Sequence, residues 1–401
     1  MISLDSGAAA GTLLARLDQA RAQTDRLFQM ISPEALLERP IPERHRLIFY
    51  LGHVEAFDWN LVCRGALDLP PFHPAFDRLF AFGIDPEVGH SPGDKPSDWP
   101  AIGEVERYRL RVRESVDRGL RDVPEELAHV AIEHRLMHAE TLAYLLHHLP
   151  HNQKTGDAGE PVERRPPAEE WIVIPPGMAA LGRESGFGWD NEFEALSMDV
   201  PAFRICKYKV TNGDYLRFVQ EGAPAPHYWR QIGGEWFYRG MFADVGLPLD
   251  WPVYVTRQQA AAYAAWRGKR LIEEAEYHRA AGGRQYPWGE AHPGPRHGNF
   301  NFERWDPIPV DASPAGDSPY GVSQLCGNGW EWTSTVFAPL PGFAARPYYP
   351  GYSADFFDGR HFVLKGGSQR TAACMLRSSF RNWFRPDYPY VYATFRLAES
   401  L

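Results

Sequence analysis

Cysteine is scarce in this chain. Four occur in 401 residues (Cys63, Cys206, Cys326 and Cys374), far apart and never as CxxC, which excludes a disulfide framework and a zinc ribbon. Positive charge is not in excess either. Lys and Arg number 42 against 51 Asp and Glu, a net charge of −9, so no basic surface for nucleic acid is expected. No apolar run approaches the length of a membrane span. Met1 to Leu17 lacks the basic start and apolar core of a secretion signal. These absences point to a cytoplasmic protein with neither nucleic-acid nor membrane partners. The remaining composition, 44% hydrophobic and 23% charged, is that of a globular chain, and 401 residues call for two or three domains.

The most informative stretch runs from Val130 to Leu149. Ile132, Leu136, Leu142, Leu145 and Leu149 keep a helical rhythm without Gly or Pro, and Pro150 stops it. Within it, His134 and His138 lie four residues apart, so both imidazoles point the same way one turn apart. Two neutral imidazoles on one face begin a metal site, although an HxxxH pair alone is more often a pair of ordinary surface or core histidines. Upstream, Leu13 to Met30 has the apolar spacing of an amphipathic helix. Ser32-Pro33-Glu34 reads as a helix start. Arg46 to Arg64 is apolar almost all round, so a helix there should be buried, and it carries His53 at its middle. Residues 70–100, rich in Pro, Gly and Asp, are expected to form a long, partly irregular connection, and Ile102 to Leu120 a charged helix. Four helices in this span suggest an up-and-down bundle, whose metal sites sit between facing helices.

Residues 153–170 lack apolar periodicity and read as a linker. Beyond Trp171 the chain changes character: short strands, dense Gly, Pro and aromatics, and helices expected near Thr211–Gln220, Thr256–Arg267 and Ile272–Ala281. Such a region suits a rigid scaffold that presents loops.

The second half carries Leu181-Gly-Arg, Tyr208-Lys-Val-Thr-Asn212, Trp251-Pro-Val, Lys269-Arg-Leu-Ile-Glu-Glu-Ala-Glu-Tyr277, Tyr286-Pro-Trp-Gly289, Gly298-Asn299, Cys326-Gly-Asn-Gly-Trp-Glu-Trp-Thr333, Leu364-Lys-Gly-Gly-Ser368 and Phe395-Arg-Leu397. In this order they resemble the formylglycine-generating-enzyme (sulfatase-modifying factor) fold, a variant of the C-type-lectin fold. The first half is similar to a DinB-type four-helix bundle, its HxxxHxE motif standing as His134, His138 and Glu140. Together the halves resemble the EgtB-type sulfoxide synthases, non-haem iron enzymes of ergothioneine biosynthesis. The resemblance implies an α+β protein with a DinB-like iron-binding bundle over residues 1–152 and a lectin-type domain over 171–401.

It further implies iron(II) held by His53, His134 and His138, with three positions open for a chalcogen donor, dioxygen and a water or substrate. Glu140, about 200° round the helix from His138, falls outside the ligand set and is expected to act behind it. The family's acceptor is hercynine, the trimethylated betaine of histidine, whose ammonium wants aromatic faces and whose carboxylate wants donors. By motif match Asn382 and Trp383 take it, with Arg381, Phe384, Arg385 and Tyr388 nearby; Arg377 and Arg381 have scaffold anchoring as their other reading. Family members hold calcium in the turn matching Asn328 to Glu331, a second candidate cation site.

Rival readings are weaker. The formylglycine generators use a cysteine pair that falls here on Thr371 and Leu376, with Cys374 out of place. A DinB-type thiol transferase shares the three histidines but lacks the second domain. A lectin-like binding protein would leave buried polar groups idle. Within the family, the acid and arginine that grip γ-glutamylcysteine in the mycobacterial type fall on Phe384 and Tyr388. The Tyr-Tyr pair of the cysteine-using type falls in Leu79 to Asp85, which has no tyrosine. Those losses resemble the selenoneine synthase (SenA) branch, with a selenosugar as donor and Asp77, Asp85, His90, Asp94, Trp99 and Arg385 as groups to bind it. A thiol donor is the alternative.

Overall fold

The computed structural model describes residues 5–81, 92–157, 159 and 164–401, with side chains from residue 11 onward. It divides into two compact units, Met1–Asp157 and Ala158–Leu401.

The first unit is helical: α1 (Asp5–Gln29), α2 (Leu47–Asp58), α3 (Pro74–Leu79), α4 (Ile102–Gly119) and α5 (Glu125–His148). Four are long, and α1 lies along α5 while α2 packs against both α4 and α5. The sequence explains each placement. On α4 only Val105, Tyr108, Val112, Val116 and Gly119 are buried, one stripe at helical spacing; Glu104, Arg107, Arg111, Glu114 and Arg118 face out, while Arg109 and Arg113 reach towards Glu55 of α2. On α2 nearly every residue is buried, as its all-round apolar sequence requires. The backbone continues past α2 as a π-helical segment, Trp59–Ala66. Pro33 starts only a 3-10 turn, and Ser32 makes no side-chain capping bond. The expected irregular connection contains α3, because Pro74 pre-sets the first turn and His73 Nδ1 accepts the Phe76 amide at 3.2 Å.

The second unit holds helices α6 (Asn212–Gln220), α7 (Arg257–Trp266) and α8 (Glu274–Ala281). Its strands, in chain order, are β1 (Trp171–Ile174), β2 (Gly177–Leu181), β3 (Leu196–Val200), β4 (Phe203–Cys206), β5 (Trp229–Ile232), β6 (Glu235–Arg239), β7 (Asp244–Gly246), β8 (Arg270–Leu271), β9 (Trp330–Val336), β10 (Phe362–Lys365), β11 (Asn382–Phe384), β12 (Ala393–Thr394) and β13 (Leu397–Ser400). Two four-stranded sheets run β1-β4-β13-β8 and β11-β10-β9-β12, beside the hairpin β2-β3 and the meander β5-β6-β7. Thr211 and Thr256 each close a capping box at the start of α6 and α7. An apolar core of Ile174, Phe203, Ile205, Tyr277, Val322 and Leu325 lies under α8 and the first sheet. Short strands alone stabilise little, so buried ion pairs and side-chain bonds to backbone hold the loops; Arg396 grips Glu331 at 3.0 Å with both side chains fully buried.

Candidate metal centre

His53 stands in the middle of α2, and His134 and His138 stand one turn apart on α5. All three are buried, and one ring nitrogen of each lies within 4.8 Å of the others. His53 Nε2 is 3.2 Å from His138 Nε2, which is 3.2 Å from His134 Nε2. His53 Nδ1 donates to the Phe80 carbonyl at 2.6 Å. That bond places the proton on Nδ1 and leaves Nε2 a lone pair aimed at the cluster.

Burial pushes the His53 imidazolium down to about 4, against a smaller opposing pull from the Phe80 carbonyl. His134 and His138 are held well below the ordinary range by burial, reinforced by the neighbouring histidines and Arg135. The three rings are therefore neutral near pH 7. In the tautomers that put the protons of His134 and His138 on Nδ1 as well, three Nε2 lone pairs converge and repel one another unless a cation lies among them. Ligands about 2.1 Å from one ion and at right angles stand roughly 3 Å apart, so the 3.2 Å spacings fit a shared divalent ion. An all-imidazole set suits iron, zinc, copper or nickel rather than calcium or magnesium. The rings are wedged in place: Phe49 stacks on His53 at 4.9 Å and Phe57 on His134 at 3.4 Å. Glu140 is buried on α5 but is not part of the three-ligand group.

In the second unit, Asn382, Trp383 and Phe384 form β11, an outer strand of its sheet. Phe337 covers one face of Trp383 (4.3 Å between centroids, 8° between planes), Tyr352 meets it edge-on at 5.3 Å, and Phe356 stands tilted at 5.5 Å. Phe384 and Tyr388 stack on each other at 5.2 Å, and Tyr388 is buried. Arg385 is half-buried. Arg381, read above as a substrate group or a scaffold anchor, has its guanidinium engaged by the scaffold. Its guanidinium forks onto Glu274 at 2.9 and 3.1 Å and donates to the Ala338 carbonyl at 3.0 Å. Arg377 likewise holds Glu192, at 2.8 and 2.5 Å.

The turn expected to hold calcium carries a cation of its own. Lys209 Nζ donates to the carbonyls of Gly327 (2.8 Å) and Gly329 (2.6 Å) and lies 3.5 Å from Glu331. These are the hard oxygen donors a calcium ion would take. Of the groups read as donor-binding, Asp77 accepts from Tyr108 at 2.9 Å, and Asp94 is occupied by Arg39, Arg46 and Trp99. Asp85 and His90 lie outside the described residues.

Residues 157–401 match the sulfatase-modifying factor enzyme 1-like domain family, and residues 16–155 match the DinB superfamily. The hercynine oxygenase of Mycolicibacterium smegmatis is 33% identical over 96% of this chain and 98% of its own length. The chain belongs to the hercynine oxygenase family. The family member from Mycolicibacterium thermoresistibile is 32% identical over 96% of this chain and 94% of its own. Ergothioneine biosynthesis protein 1 of Neurospora crassa is 28% identical over 93% of this chain, which spans only 56% of that longer relative. As a member of this family the chain is an enzyme, built as a DinB helical domain followed by a lectin-type domain. Among the described residues, no helix is long and apolar enough to cross a membrane.

Sequence reasoning missed three parts of this picture: the Phe80 carbonyl, the Lys209 ammonium, and the charged residues Glu55, Asp58 and Arg135 buried beside the histidines. Only the last left a local signal, three charges set into helices that are otherwise apolar.

Proposed function

We propose that this enzyme is an iron(II)- and O2-dependent synthase that joins a chalcogen to the imidazole C2 of hercynine, with a selenosugar as the donor. The observation that carries the reading is the buried cluster of three neutral histidines in a chain related to hercynine oxygenases along nearly its whole length. His53, His134 and His138 would hold iron(II), which supplies the redox centre where dioxygen is consumed. The Phe80 carbonyl fixes the ring of His53, and Phe49 and Phe57 exclude water from two of the rings. The trimethylammonium of hercynine would meet the aromatic group of Trp383, Tyr352 and Phe356, where a cation gains from ring faces. Asn382 would offer its amide to the carboxylate.

The stacking of Phe384 on Tyr388 supports a donor other than γ-glutamylcysteine, since two rings pack where the family's mycobacterial type carries an acid and an arginine. A selenol is more acidic than a thiol and its selenolate more nucleophilic than a thiolate, so such a donor depends less on a tyrosine proton donor. The alternative, a sulfur donor, is favoured by the relatives named for ergothioneine biosynthesis.

The deciding experiment is a competition. Iron(II)-loaded enzyme receives limiting hercynine, oxygen, and equal concentrations of selenosugar and cysteine, and products are identified by mass. A selenium product should dominate; a dominant sulfur product replaces this reading with an ergothioneine-type synthase. Trp383→Ala should weaken hercynine binding by about 1–2 kcal/mol through loss of the cation–π contact. Unmethylated histidine should bind less tightly than hercynine, and equal affinities would count against an aromatic ammonium site.

A further inference from the structure

Three neutral nitrogens bind one ion well only while α2 and α5 keep a fixed register. An α-helix rises 1.5 Å per residue, so a slide of less than one residue changes the 3.2 Å spacing between His53 and His138 by a large fraction. The buried residues of both helices are mostly Leu, Ile, Val, Ala and aromatic side chains. Apolar contact is non-directional and tolerates sliding.

One cluster in that seam is directional. Arg135, next to His134 in the chain, donates to both Glu55 oxygens at 3.1 and 2.9 Å, to Asp58 at 2.6 Å and to the Val54 carbonyl at 3.0 Å. The side chains of Arg135, Glu55 and Asp58 are fully buried. Glu55 also accepts from Arg113 of α4 at 2.9 and 2.7 Å, and Arg113 pairs with Asp25 of α1 at 2.7 Å. All four long helices are thus tied into one network of ion pairs, α2, α4 and α5 through Glu55 and α1 through Asp25. Burying two acids and two guanidiniums gains little net stability over well-packed apolar residues of similar volume. What such a cluster does supply is a unique geometry, since a forked guanidinium matches its carboxylates in only one register.

We propose that Arg135, Glu55 and Asp58 are positioning residues that lock the register of α2 against α5, and with it the geometry of the three-histidine metal centre. This deepens the metal-centre reading and rests on it. None of the three is a ligand. They act through the helices that carry the ligands, and the fork of Arg135, not its charge alone, makes the lock.

The test uses the full chain and cobalt(II) alone, whose visible absorption reports coordination geometry and whose affinity is measured against a chelator. The charge-balanced double variant Asp58→Asn/Arg135→Met leaves the Glu55–Arg113 pair intact and should still unfold cooperatively. It should bind cobalt(II) about ten- to a hundred-fold more weakly, the range seen when groups behind metal ligands are removed, with shifted bands. Arg135→Lys keeps the charge, loses the fork, and should shift the bands in the same direction. Arg113→Met removes one of the α4 guanidiniums beside Glu55 together with its pair to Asp25 of α1, leaves the fork of Arg135 in place, and should lower Tm while leaving the cobalt spectrum unchanged. Unchanged affinity and spectrum in both Arg135 variants would overturn the lock. So would an equal band shift in Arg113→Met, because the effect would then be general loosening. Absence of cobalt bands from the unmodified protein would overturn the metal centre itself, and the lock with it.

Discussion

Gly52 precedes His53 on α2, and the structure makes a sharp prediction for Gly52→Ala. A Cβ built there would stand 2.5 Å from two ring atoms of Phe80 and 2.6 Å from a third. The ring would have to retreat by about 1 Å to reach ordinary contact. It has nowhere to go, being fully buried against Phe76, Trp99 and Tyr108. Overpacking of this kind costs about 1–3 kcal/mol, against a gain of roughly 1 kcal/mol from replacing a helical glycine by alanine. The net change in stability is therefore small, from near zero to about 2 kcal/mol unfavourable. The larger effect falls on the metal. Phe80 lends its own carbonyl to His53 Nδ1, so displacing it frees that ring, and metal affinity should fall about ten- to a hundred-fold. Gly103 is the control, a helical glycine whose added Cβ meets nothing closer than 3.8 Å; Gly103→Ala should stabilise without touching the metal. Thermal melts and chelator competition read both terms. If Gly52→Ala raised Tm and kept full metal affinity, Phe80 could not be what orients His53.

Replacing His53, His134 or His138 by Ala should each abolish most metal binding and turnover, whereas Glu140→Gln should be mild; full metal occupancy in His53→Ala would remove that residue from the site. Because all three imidazoles are held below their ordinary range, metal affinity should stay nearly flat from pH 8 to 6, and a steep fall across that window would mean the rings are not buried as described. The metal-free protein follows the same sign: a base whose folded pKa is depressed contributes stability that is present above its unfolded value, near 6.5, and lost as pH falls towards about 4. His53 alone amounts to roughly 3 kcal/mol over that window, read by denaturant melts at each pH. Lys209→Ala leaves the Gly327 and Gly329 carbonyls without their cation and should destabilise by about 3–5 kcal/mol. Added calcium should raise the Tm of that variant but not of the unmodified protein, and no calcium effect on either would show that the turn is not a cation cradle.

The local parts of this protein were legible in its sequence. The apolar period of Val130 to Leu149 and the all-round apolar stretch at Leu47 are helical because backbone hydrogen bonds and side-chain neighbours reach only three or four residues along the chain. The same short range put His134 and His138 on one face and made Thr211 and Thr256 caps. Spacing could not say which distant groups would meet. That His53 completes the cluster across 85 residues, and takes the Phe80 carbonyl, follows from how α2 seats on α5 and α3. Glu55, Asp58 and Arg135, which sequence reasoning passed over, make sense only as a cluster. Arg381, beside Asn382 and Trp383, had two readings in the sequence, substrate group or scaffold anchor, and only the fold shows it paired with the buried carboxylate of Glu274. Lys209 settled in the turn expected to take calcium, since the chain brought an ammonium to carbonyls that needed a cation. Local sequence determined which elements form and which faces they present; the packing of those faces decided which charges and rings find partners, because a buried polar group must be satisfied by whatever the fold brings to it.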